Sequence, residues 1–394
     1  MLEDQSRKFL WITLKIGGGV ILLLVLLFSG LLAYVTHEKR KYDKLTDTRD
    51  LKQRAAKMGE GYVTNRNNAS LVIGITQRGK RSVLGFGRVS ATNAVPPDAH
   101  TLFEIGSVTK VFTAIALARL ELDGKVKLTD TLRASLPEKV ALASALESVT
   151  LLHLATHTSG LPRLPSNLDT SEANLANPYA KYGAEQLYQF LAAAKPNNPP
   201  GRVMDYSNVG FALLGHVLTL KAERSYEDLI RDALLEPLGM TNTAIRLTDE
   251  LRARLTRGHS PKGEEVSGWD FGVFAPTGAF RSGAGDMLTF IEANLTSVET
   301  PVGRSLNSVR QLHLTGVAGN LPLGWQREVS LQGGLEIYWH NGGTGGYASF
   351  IAFNRAQQIG VVVLTNYGDA MAGRFAVDKI GLDLLKLGSK VSLE

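Results

Sequence analysis

The chain has 394 residues, 44% of them hydrophobic and 20% charged, enough to bury a sizeable core without covalent staples. With no cysteine, disulfides and a lipid-modified cysteine anchor are excluded. The net charge of +6 is modest, and several of the positive residues cluster near the N-terminus rather than in a basic patch interleaved with aromatics, so nucleic acid is not expected as a partner.

From Ile16 to Val35 no residue is charged, and Leu, Ile, Val and Gly dominate. At about 1.5 Å per residue such a helix matches a hydrocarbon core of about 30 Å. Ala33-Tyr34-Val35 offers no small-x-small cleavage site, so residues 1–36 are expected to be a retained single-pass transmembrane anchor rather than a cleaved signal. Arg7, Lys8 and Lys15 precede the span or open it, whereas Lys39, Arg40, Lys41, Lys44 and Arg49 follow it. That balance would by itself hold the C-terminal side in the cytoplasm, but long domains translocate largely regardless of flanking charge. Residues 37–69 are polar and read as a partly helical juxtamembrane linker before a globular domain over 70–394.

Strand-like runs at 70–77 and 81–89 flank Arg78-Gly79-Lys80, a hairpin signal, and 348–354 and 359–366 make a second hairpin. Helical stretches lie between them, broken by Pro- and Gly-rich loops at 161–165 and 195–201. His153 and His157 are spaced four apart on an expected helix, as zinc ligands can be, but no third ligand accompanies them. Packing is their expected role, and no metal or cofactor is expected.

Ser107 stands where a polar loop meets the apolar stretch 108–122, and Lys110 follows three residues on, one helical turn away. A serine hydroxyl is a weak nucleophile until an adjacent base takes its proton. A lysine becomes that base if burial lowers its pKa. Ser-x-x-Lys occurs once in the chain, as does Tyr-x-Asn, in Tyr206-Ser207-Asn208. A strand-like run, Leu335–Trp339, then leads into His340-Asn341-Gly342-Gly343-Thr344-Gly345-Gly346, a glycine run without the Gly-Lys-Ser/Thr ending of a phosphate loop.

Ser-x-x-Lys, Tyr-x-Asn and a basic residue-x-Gly, in that order, resemble the motifs of penicillin-recognising serine hydrolases. Together with Leu151–Pro162 they look like the class C β-lactamase branch, which also includes D-Ala-D-Ala carboxypeptidases and esterases. The likeness runs from about Ser70 to Leu387. It implies an α+β fold in which an antiparallel sheet flanked by helices adjoins a mostly helical subdomain, with Ser107 in the groove between. It further implies that Ser107 forms an acyl-enzyme, that Lys110 accepts its proton, and that Tyr206 passes the proton to the leaving group and later activates water. For Tyr206 to do so, nearby cations are expected to favour its ionised form, since a phenol titrates near ~10. Asn208 would hold the substrate amide or steady Lys110, or cap the helix that follows. His340, Asn341 and Gly342 would line the substrate-facing strand edge, and the backbone N–H groups of Ser107 and Gly343 would form the oxyanion hole.

Two departures from that pattern bear on substrate. His340 replaces the lysine usual at the third motif, and histidine is mostly uncharged at neutral pH. The glutamine usual after the Thr-x-Gly turn has no match near Arg163-Leu164-Pro165. The expected substrate is therefore a D-Ala-D-Ala cell-wall peptide, a β-lactam or a small ester, met on the extracytoplasmic side of the plasma membrane. The alternative is a penicillin-binding sensor or scaffold that acylates without turnover.

Overall fold

Residues 70–77 are buried along their whole length because helices cover both faces of the sheet they enter. The computed structural model describes residues 25, 27–34, 36, 47–64, 66–171, 174, 176–296, 298–314, 319–329, 334–368 and 376–393. The elements that position the site are α1 (Leu51–Val63), β1 (Ser70–Gln77), β2 (Lys80–Gly87), α2 (Thr109–Leu122), α3 (Leu151–Ala155), α4 (Asn208–Ala222), α5 (Ala284–Leu295), β3 (Gln326–Val329), β4 (Glu336–Gly343), β5 (Ala348–Asn354), β6 (Ile359–Thr365) and α6 (Val377–Gly388).

The six strands make one antiparallel sheet in the order β2-β1-β6-β5-β4-β3, so the two ends of the domain meet at β1 and β6. Arg78 and Gly79 both have positive φ, and such a two-residue turn matches the twist of the strands it joins, here β1 and β2. Gly360 of β6 lies against Ile291 of α5, and the neighbouring Ile359 lies against Gly388 of α6, so those two helices take opposite faces. Beyond the sheet lies the helical part, centred on α2, which is buried from Thr109 to Ala118. This is the α+β arrangement that the resemblance implied.

Residues 49–394 form one unit and residues 1–48 another. The stretch 37–69 read as a linker contains α1, which belongs to the larger unit. Its residues Leu51, Ala55, Met58 and Tyr62 are buried, and Arg54 pairs with Asp383 of α6 at 2.9 Å. Burial of a large apolar side chain contributes about 1.5–3 kcal/mol, whereas an isolated helix of this length is marginal in water. Packing therefore holds α1 on the sheet. The transmembrane helix expected over 16–35 lies largely outside the described residues, and no described helix is long and apolar enough to cross a membrane.

Candidate active site

Ser107 occupies a 3-10 turn, Gly106–Val108, that leads directly into α2. Its side chain caps no helix; instead its Oγ lies 3.0 Å from Lys110 Nζ, which also donates to the carbonyl of Thr277 at 2.9 Å. The turn is held from two sides. Ser349 Oγ of β5 donates to the Ile105 carbonyl at 2.7 Å, and Ile105 N donates to the Phe280 carbonyl at 3.0 Å. Glu104, immediately upstream, is buried in an ion pair with Arg281 at 2.9 Å.

Lys110 has no exposed surface. Burial holds its ammonium well below the ordinary lysine range, and the charge of Arg163 acts in the same direction. Because the folded-state value is depressed, Lys110 sheds its proton at lower pH than a free lysine does. An amine in that state can accept a proton from a hydroxyl 3.0 Å away.

Tyr206 closes the same space. The Lys110 ammonium nitrogen is 5.0 Å from its ring centroid, and the Arg163 guanidinium carbon is 5.2 Å away. Burial pushes the phenol up to about 12, while the Ser107 hydroxyl and the Arg163 charge pull it down by less. The expectation that nearby cations favour the ionised form is thus corrected: desolvation outweighs them, and the phenol is neutral.

The expected helix cap at Asn208 is corrected as well. Ser207 Oγ accepts from Gly210 N at 2.9 Å and is the N-cap of α4, which begins at Asn208. The Asn208 side chain is thereby left out of the capping, and its Oδ1 is buried without a partner. His153 and His157 do not share a helix face, because α3 ends at Ala155 and His157 has φ +58°. The His157 ring instead stacks on Tyr206 with centroids 4.4 Å apart, and its Nδ1 accepts from Ser207 N at 3.0 Å.

The third motif approaches along β4. Strand β3 pairs with β4 only as far as Trp339, and residues beyond it run past the Ser107 turn. A Cβ on Gly342 would lie 2.1 Å from the Ile105 carbonyl oxygen and 2.8 Å from Ser107 N, so only glycine fits. A Cβ on Gly106 would lie 2.7 Å from Gly343 N, so the β4 backbone at Gly343 also lies close against the nucleophile turn. His340 is buried, with its ring centroid 6.3 Å from that of Tyr206. Its Nδ1 is 2.6 Å from the Asn341 carbonyl, and burial, with the Lys110 charge, lowers it to about 3. It is neutral at physiological pH, and its Nε2 has no partner among the described residues. Asn341 is half-buried.

The structure thus brings Ser107, Lys110, Tyr206, Asn208, His340, Gly342 and Gly343 to one place. Sequence reasoning missed the Thr277 carbonyl, which has no sequence signal, and His157, whose Thr-Ser-Gly neighbours signalled a tight turn. Within the described residues no cluster of His, Cys, Asp or Glu fits a metal ion.

The fold and this constellation define a serine hydrolase of α+β architecture. The chain belongs to the Beta-lactamase family, whose model matches residues 53–383. It is 27% identical over 346 residues to a β-lactamase of Lysobacter lactamgenus, covering 79% of this chain and 86% of that protein. It is 28% identical over 313 residues to the D-alanyl-D-alanine-carboxypeptidase/endopeptidase AmpH of Escherichia coli (strain K12), covering 75% of this chain and 78% of that one. Among solved structures, a β-lactamase/D-alanine carboxypeptidase from Yersinia pestis superposes with a TM-score of 0.69 at 27% identity, covering 84% of this chain and 99% of that one. A class C β-lactamase mutant superposes with a TM-score of 0.74 at 22% identity, covering 85% and 97%.

The tight approach of β4 generates a prediction. Gly342→Ala must push the strand away from Ser107, and turnover should fall at least about a hundredfold, the loss expected when an oxyanion donor is displaced. Wild-type steady-state rates in that variant would contradict this geometry.

Proposed function

We propose that this chain is a membrane-anchored hydrolase that works through a Ser107 acyl-enzyme on a D-Ala-D-Ala peptide, a β-lactam or a small ester. The observation that carries this reading is the 3.0 Å contact between Ser107 Oγ and a fully buried Lys110, closed over by Tyr206. Neutral Lys110 takes the hydroxyl proton as Oγ bonds to the substrate carbonyl carbon. The developing oxyanion accepts hydrogen bonds from the amides of Ser107 and Gly343. Collapse breaks the bond to the leaving group, which takes the proton from Lys110 through the Tyr206 phenol. Water then enters, gives its proton back along the same path and attacks the acyl carbon, releasing Ser107. Asn208 and the β4 edge at His340, Asn341 and Gly342 hold the substrate in place.

The neutral His340 places no lasting charge at the third motif to meet a carboxylate, which favours a small ester over a β-lactam or a D-Ala-D-Ala terminus. A sensor that acylates without turnover is not favoured, because Tyr206 and Lys110 stand together where deacylation needs a base. The apolar run 16–35 anchors the chain in the plasma membrane, with residues beyond it extracytoplasmic. Deletion of residues 1–46 should then move the protein from the membrane to the soluble fraction, and an unchanged distribution would contradict the anchor.

Incubation with a penicillin, a D-Ala-D-Ala peptide and a nitrophenyl ester, read by turnover and intact mass, tests the chemistry. Wild type should turn over at least one of them, and Ser107→Ala should lose turnover and acyl adduct for all three. Normal rates in Ser107→Ala would refute the nucleophile, and a stable adduct without turnover in wild type would refute the hydrolase.

A further inference from the structure

Arg163 is an exposed cation at the mouth of the site that no charge answers. Arg54, Arg81, Arg281 and Arg327 each pair with a carboxylate, whereas Arg163 pairs with none among the described residues. It is nevertheless fixed in place. Its carbonyl accepts from Asn208 N at 2.9 Å, tying it to the start of α4, and its guanidinium carbon sits 5.2 Å from the Tyr206 ring centroid. Its field reaches Lys110, Tyr179 and His157, so the charge points into the site. The facing strand has no cation, since residues 340–346 are His-Asn-Gly-Gly-Thr-Gly-Gly and His340 is neutral. A fixed guanidinium with no protein partner beside a nucleophile is free to pair with an anionic group of the substrate.

We propose that Arg163 binds a carboxylate carried on the acyl part of the substrate, so that this enzyme prefers acyl donors bearing a second, acidic group. The acyl side is assigned because Arg163 shares its wall with Asn208, the residue read above as holding the substrate amide, and the inference rests on that reading. A planar guanidinium that hydrogen-bonds a carboxylate through two N–H groups gives roughly a ten- to hundredfold preference.

The test uses the full chain and matched 4-nitrophenyl esters, one of glutaric acid and one of its monomethyl ester, which differ in a single charge. The ratio of kcat/KM, acidic over neutral, should exceed one in the wild type and fall roughly ten- to a hundredfold in Arg163→Gln. Arg163→Lys should keep part of it, and added salt should shrink it in the wild type. The ratio is the readout because removing Arg163 also releases its hold on Lys110, which changes both rates together. A ratio near one in the wild type, or one unaltered by Arg163→Gln, overturns the proposal. So does a preference confined to an ester whose carboxylate lies on the nitrophenyl group. If turnover is too slow, acylation of Ser107 followed by intact mass gives the same ratio. If Ser107 is never acylated by any ester, the hydrolase reading itself fails, a result distinct from loss of the preference alone.

Discussion

Lys110 is sealed from solvent, and the rest of the site is arranged around the cost of placing an amine there. An ammonium in that position would lose its hydration and gain the Ser107 hydroxyl, one peptide carbonyl and the face of the Tyr206 ring in return. No carboxylate is offered to it. The outcome is an amine that sheds its proton more readily than a free lysine, held one helical turn from the hydroxyl it serves. The neutral phenol of Tyr206 follows from the same desolvation. An amine and a phenol titrate close together in water, and burial drives the two apart here, the amine downward and the phenol upward.

The sheet and the helical part contribute different halves of this arrangement. The helical part supplies burial: α2 carries Lys110 inward, and the Thr277 carbonyl fixes its tip. The sheet supplies approach: β4 runs past the nucleophile turn with glycine where a Cβ would collide, and β5 ties the turn down through Ser349. His157 braces the Tyr-x-Asn motif from the helical side, since its ring stacks on Tyr206 while its Nδ1 accepts from Ser207 N. Each motif is thus held by a segment distant from it in sequence.

Much of this was legible in the residues because the chemistry needs particular types in a particular order. Ser107 and Lys110 announced themselves by spacing at a helix start, and the two hairpins by apolar runs around turn residues. Other features were hidden for identifiable reasons. The left-handed backbone at His157 closes α3 locally, with Thr158 N donating to the His153 carbonyl at 2.8 Å, so a helical period drawn through it put the ring on the wrong face. Ser207 and Asn208 are both good caps, and only the fold decides between them. The packing of α1 onto the sheet was masked by its charge, although Leu51, Ala55, Met58 and Tyr62 recur at helical spacing and mark a buried stripe. The ionisation of Tyr206 turned on the balance between burial and a single exposed arginine, which no spacing reveals.

The most direct measurement of the central claim is an NMR titration of the lysine Cε resonances, with Lys110 assigned by its loss in Lys110→Met. The account predicts that Lys110 loses its proton at a pH well below that at which the exposed lysines lose theirs. A resonance that stays protonated until near the ordinary lysine value of about 10.4 would contradict it, and with it the base on which the mechanism rests.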